Sequence, residues 1–149
     1  MIENSKILYM SEQEVSDSIQ GGKISVCVIG LGRIGLPTAV SFANAGLNIF
    51  GVDIDSELVS KINSKEFPLK DEAGYELIFK NVIKEEKFRV TTNLNEVVPK
   101  SDVILLSLPT PMNKNNIPDY STITSVGNQL HDLICKGTVI IVESTVEPG

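Results

Sequence analysis

The sequence has no tryptophan, one histidine and only two cysteines in 149 residues. With no C-x-x-C pair and no Cys/His cluster, neither a zinc site nor a disulfide framework is expected. Cys27 and Cys135, each inside an apolar stretch, read as small buried hydrophobes of a reducing compartment. Positive charge is scarce too: 13 Lys+Arg stand against 19 Asp+Glu, a net charge of −6. A partner such as nucleic acid or an anionic membrane needs clustered cations, so neither is expected. No apolar run approaches the roughly 18 residues that cross a bilayer, and the polar start is no signal peptide, so a cytoplasmic location is expected. What is present is 42% hydrophobic and 21% charged, the composition of an ordinary globular protein, at a length that suits one domain.

Residues 1–22 are polar and read as an N-terminal leader ending in Gly21-Gly22. Within them Ser11-Glu12-Gln13-Glu14 predicts a capping-box start for a short peripheral helix with Val15 and Ile19 on one face. Residues 23–149 read as one domain in which apolar runs alternate with helical spacings. Strands are predicted over 24–29, 47–53, 88–92, 102–108 and 138–142. Between them, Leu36, Ala39, Val40 and Ala43 mark a helix that tolerates Pro37 in its first turn and stops at Gly46. Asp55 caps a helix carrying Leu58, Val59 and Ile62, and a loop and helix fill 68–87. Asn93 with Glu96 starts a brief helix ended by Pro99, and Ile123, Val126, Leu130, Leu133 and Ile134 mark a long helix from about Asp119. This alternation implies an α/β fold, an open, doubly wound parallel sheet with helices on both faces. Only Glu143 to Gly149 follow the fifth strand, so no helix covers it, and the chain is expected to be a piece of a longer protein.

Gly30-Leu31-Gly32-Arg33-Ile34-Gly35 comes directly off the first strand and opens the first helix of the domain. In that context G-x-G-x-x-G predicts a dinucleotide site. Gly30 permits the tight turn, Gly32 lets a pyrophosphate approach the backbone, and Gly35 lets the helix lie close on the sheet. Asp53, 53 − 30 = 23 positions after the first glycine, stands where a carboxylate would hold the adenosine ribose. With Asp55 adding negative charge and no arginine after the strand, NAD is expected rather than NADP. Ligands sit beyond the carboxyl ends of the strands where strand order reverses, here between the first and fourth. Pro109-Thr110-Pro111 and Ser144-Thr145-Val146 would therefore open onto the same crevice, their hydroxyls on the nicotinamide half. Arg33 either flanks the pyrophosphate or is solvated. His131 reads as a surface residue on a helix body turned away from the crevice, and Lys84 to Lys87 as a solvated charge run.

Four separated stretches, VIGLGRIGLPTAVSFANAGLNIFGVDID, LLSLPTP, PDYS and VIIVESTVEPG, resemble the N-terminal, Rossmann-type NAD-binding domain of the nucleotide-sugar 6-dehydrogenases. Within that group of UDP-glucose and UDP-N-acetylmannosamine dehydrogenases, the motifs look most similar to the UDP-N-acetylmannosamine branch. The resemblance implies a two-step oxidation of a UDP-sugar C6 alcohol to a carboxylate, consuming two NAD and passing through a thioester on a cysteine. It places Arg33, Ile34, Asp53, Thr110 and Thr145 on NAD, with Thr145 also near the catalytic water, and it implies a homodimer. The family's catalytic cysteine, lysine and sugar-binding residues lie further along than this sequence extends, and neither Cys27 nor Cys135 matches that cysteine. Rival readings are a β-hydroxyacid-type NAD(P) dehydrogenase, whose members differ at Pro109-Thr110-Pro111, and a regulatory domain that senses NAD without chemistry. A methyltransferase using S-adenosylmethionine is disfavoured by Gly35 at the helix-packing position.

Overall fold

The computed structural model describes residues 7–69, 71 and 74–146. The start of the leader, parts of the loop at 68–74 and the last three residues of the final motif lie outside these described residues.

The central strands are short apolar runs covered on both faces. Strand β1, Ser25–Ile29, is buried from Val26 to Ile29. Beside it lie β2, Asn48–Val52, and β4, Val103–Leu106, and the sheet is completed by β3, Phe88–Thr91, and β5, Val139–Val142. All pairings are parallel, in the order β3-β2-β1-β4-β5. Strand order therefore reverses between β1 and β4, as expected. Ile29 is in register with Val52 on one side and Leu106 on the other, so the carboxyl ends of the central strands finish level.

Side chains alternate across the sheet and feed two cores. Val26, Val28 and Leu105 face one layer, with Leu36, Ala39, Val40 and Ala43 of α2 (Gly35–Asn44), Ile62 of α3 (Ser56–Asn63), and Phe79 and Val82 of α4 (Tyr75–Lys84). Cys27, Ile29, Ile104 and Leu106 face the other layer, built from Val97 of the one-turn α5 (Leu94–Val97), Val98, and Val126 and Leu130 of α6 (Ser121–His131). The result is the three-layer α/β/α sheet the sequence predicts. The peripheral helix α1, Glu12–Gln20, has its predicted capping box at Ser11 and buries no residue fully, although Val15 and Ile19 lean on the first core.

Two differences from expectation have local causes. Helix α6 is shorter than its apolar spacing: it begins at Ser121 and ends at His131, because the Leu133 and Ile134 amides both turn back to the Leu130 carbonyl. Leu133 still reaches the second core through that turn, so the spacing outlasts the helix. Strand β4 starts after Asp102, whose carboxylate instead accepts the Ser25 amide at 2.9 Å, at the end of the sheet away from the crevice. At the edge, β5 is the least covered strand, with Ile140, Ile141 and Val142 all more than 40% exposed.

Asp55 caps α3 as predicted, accepting the Glu57 and Leu58 amides at 2.9 and 3.1 Å. Asp55→Ala is expected to remove about 1 kcal/mol of stability. A fall of about 2–4 °C in thermal melting would show it, and an unchanged melt would refute it.

Candidate dinucleotide site

The glycine turn is shaped by close backbone approach at two of its three glycines. Gly30 has φ +93°, and a Cβ there would stand 2.3 Å from the Ser107 carbonyl oxygen. A Cβ on Gly35 would stand 1.9 Å from the Gly30 carbonyl oxygen and 3.1 Å from Ser107 Cβ. These contacts seat the start of α2 on the turn and the turn on the end of β4. Gly32 differs: a Cβ there would meet nothing within 4 Å. That open space adjoins the start of α2, whose N-cap residue Ile34 makes no side-chain cap. Main-chain amides at a helix start left without such a cap suit an anion.

Asp53 follows β2 directly and ties two turns together. Its Oδ2 accepts the Leu31 amide at 2.7 Å and its Oδ1 accepts the Asp55 amide at 2.9 Å. A carboxylate oxygen has capacity for a second donor, so this anchored group is still able to take the two hydroxyls of a ribose. The clamp also fixes where Leu31 goes. Its side chain is 1% exposed within the first core and its amide is engaged by Asp53, so it does not join the cavity wall.

Beyond β4 and β5 the chain forms the other half of the crevice. Thr110 Oγ1 donates to the Thr145 carbonyl at 3.0 Å, and Thr38 Oγ1 of α2 donates to Glu143 Oε1 at 3.2 Å. The two loops and the first helix of the site are thus linked by side chains more than 30 residues apart in sequence. Arg33 is exposed, with its guanidinium 3.9 Å from the Asp71 carboxylate. Such an exposed pair is weak, so the cation is free to turn to a phosphate.

These elements enclose one cavity of about 1180 Å³. Gly30, Gly32, Arg33, Ile34, Gly35, Asp53, Pro109, Thr110, Ser144 and Thr145 all line it, whereas Leu31, Pro111 and Val146, singled out from sequence with them, do not. The wall holds more than the sequence disclosed. Thr92 to Asn95 close it at the end of β3, where the same carboxyl-end rule, applied to the third strand, points. Thr122, Val126, Gln129 and Leu133 line it as well. Their spacing of four, three and four places them along one side of α6 and its continuing turn. The body of α6 therefore faces the crevice, contrary to the expectation, although His131 itself is not on the wall. Neither cysteine lines the cavity: Cys27 is fully buried, its thiol pushed up to about 12 by burial, and Cys135 Sγ lies 3.6 Å from the Pro99 carbonyl. Among the described residues there is no cluster of His, Cys, Asp or Glu suited to a metal ion, and no helix is long and apolar enough to cross a membrane.

Comparison with known proteins bears on this geometry. The family model described as UDP-glucose/GDP-mannose dehydrogenase family, NAD binding domain, matches residues 24–149. UDP-N-acetyl-D-mannosamine dehydrogenases of Pyrococcus horikoshii and Campylobacter jejuni are each 34% identical over 83% of this chain, which covers 29% and 30% of their lengths. The solved structure of the UDP-D-ManNAc dehydrogenase from Pyrococcus horikoshii matches with a TM-score of 0.79 and 33% identity, over 85% of this chain and 29% of that one. A ternary complex of GDP-mannose dehydrogenase from Pseudomonas aeruginosa gives a TM-score of 0.77 at 28% identity, over 83% and 29%. The chain thus spans less than a third of the length of these relatives. It belongs to the UDP-glucose/GDP-mannose dehydrogenase family, as the NAD-binding domain of that family.

Proposed function

We propose that this chain supplies the cofactor half of an NAD-dependent UDP-sugar 6-dehydrogenase, with UDP-N-acetylmannosamine as the substrate class its relatives' names suggest. The observation that carries this reading is the pairing of an open Gly32 with an anchored Asp53 at the switch point of the sheet. Main chain at Gly32 and the start of α2 would take the pyrophosphate, with Arg33 turning to it. Asp53 would take the adenosine ribose, and Thr110 and Thr145 would flank the nicotinamide. A 2′-phosphate would meet the carboxylates of both Asp53 and Asp55. Bound NAD would supply the hydride acceptor, and the whole reaction would convert a C6 alcohol and water to a carboxylate while reducing two NAD. The chain alone offers no nucleophile at the cavity among its described cysteines, so it is expected to bind NAD without oxidising a UDP-sugar. In this reading residues 1–22 are a leader to the domain at 23–149, and the whole protein is a cytoplasmic homodimer.

Calorimetric titration tests the cofactor assignment directly. NAD is expected to bind at least about tenfold more tightly than NADP, a difference of about 1.4 kcal/mol. Equal affinities, or tighter NADP, would overturn it.

A further inference from the structure

The Ser144 hydroxyl sits where the loops after β4 and β5 meet. It accepts the Leu108 amide at 2.9 Å and donates to the Leu106 carbonyl at 3.3 Å. That carbonyl also takes the Glu143 and Ser144 amides at 2.9 and 3.3 Å, so the end of β5 closes onto β4 at one point. The strand ladder itself stops at the pair Leu106 and Val142. Past it, Leu108 is held by a side chain, and a hydroxyl can both accept that amide and donate to the Leu106 carbonyl, bridging the two strand ends. Immediately beyond the clamp, Thr110 Oγ1 meets the Thr145 carbonyl at 3.0 Å. Immediately before it, Ser107 abuts Gly30 and Gly35.

We propose that Ser144 is a positioning residue: its hydroxyl, by fastening Leu108 to the end of β5, sets the spacing of Thr110 and Thr145 and so forms the seat for the nicotinamide end of the dinucleotide. This rests on the reading of the cavity as a dinucleotide site. Asp53 and the open space at Gly32 serve the adenosine and the pyrophosphate, and Ser144 has no hydrogen bond to either. Its hydroxyl therefore bears on one half of the ligand.

ADP-ribose, which is NAD without the nicotinamide, separates that half from the rest. In titrations of the 149-residue chain, Ser144→Ala is expected to weaken NAD about fivefold to tenfold, the cost of one unmade hydrogen bond, and to leave ADP-ribose within about twofold. Ser144→Thr, which keeps the hydroxyl, is expected to restore NAD affinity. Equal weakening of both ligands by Ser144→Ala would overturn the proposal, because a general support of the fold acts on both. So would no weakening of NAD. An unsubstituted chain that bound neither ligand would sink the dinucleotide reading itself, and the proposal with it, before any variant was measured.

Discussion

Gly35→Ala is expected to cost the fold about 3 kcal/mol, whereas Gly32→Val, three positions away, leaves stability unchanged and removes dinucleotide binding. The opposite outcomes come from what surrounds each Cα. A methyl at Gly35 enters the space of the Gly30 carbonyl oxygen, 1.9 Å away, and that oxygen belongs to main chain pressed on its other side by Ser107. Neither backbone segment yields without moving β4 or the start of α2, so the strain is relieved only by loosening the sheet. For a domain of this size the melting temperature should fall by about 10 °C. At Gly32 a Cβ meets nothing within 4 Å beyond its own chain neighbours. The isopropyl group of valine there fills the volume where a pyrophosphate would approach main chain. NAD affinity is expected to fall at least about 100-fold, or about 2.7 kcal/mol. Thermal melts and calorimetry on the two variants check both halves. A Gly35→Ala melt within 2 °C of the parent would remove the packing argument, in which about 3 kcal/mol is at stake, and undiminished NAD binding by Gly32→Val would remove the pyrophosphate assignment.

Asp53→Ala is expected to weaken NAD about 100-fold and to erase the preference over NADP. Hydrogen bonds to a charged acceptor contribute about 1.5–3 kcal/mol each, and a ribose offers two hydroxyls. The variant also leaves the Leu31 amide without the acceptor that fixes the glycine turn. Comparison of the two coenzymes separates these effects. Loosening of the turn weakens both coenzymes alike, because both carry the same pyrophosphate. Loss of the ribose contact weakens NAD and at the same time relieves the repulsion of a 2′-phosphate, so the NAD-to-NADP ratio collapses. A variant that kept the parent ratio would show that Asp53 serves the turn alone.

The elements most legible in the sequence were those made by local chemistry. The capping box at Ser11, the Asp55 cap and the buried face of α2 depend on residues a few positions apart and stand where the spacing predicts, and the five strands lie within their predicted ranges, each trimmed by one or more residues. The glycine turn was legible for the same reason: strand, turn and helix are contiguous, and the needs of Gly30 and Gly35 are written in their lack of a side chain. What the spacing blurred was extent. Apolar residues at 133 and 134 continue the stripe of α6 because the turn after the helix lies on the same core, so periodicity alone could not mark the last hydrogen-bonded residue. The role of α6 in the cavity was missed because its polar wall residues, Thr122 and Gln129, carry no motif and acquire meaning only from lining the same cavity as Gly30.

From sequence alone came the class of fold, the glycine turn at the cavity, the acidic residue Asp53 on its wall and the family. All of these follow from neighbouring residues and from motifs kept in order. Tertiary structure decided the rest: that Leu31 points into the core while its amide holds Asp53, that Ser144 fastens two loops, and that α6 closes the far wall. Each of these contacts joins segments at least 20 residues apart, and their meeting depends on strand order and register rather than on any local pattern. A hydrogen bond between distant segments leaves no periodic trace in the chain, because its energy depends on where the backbone brings the two groups together.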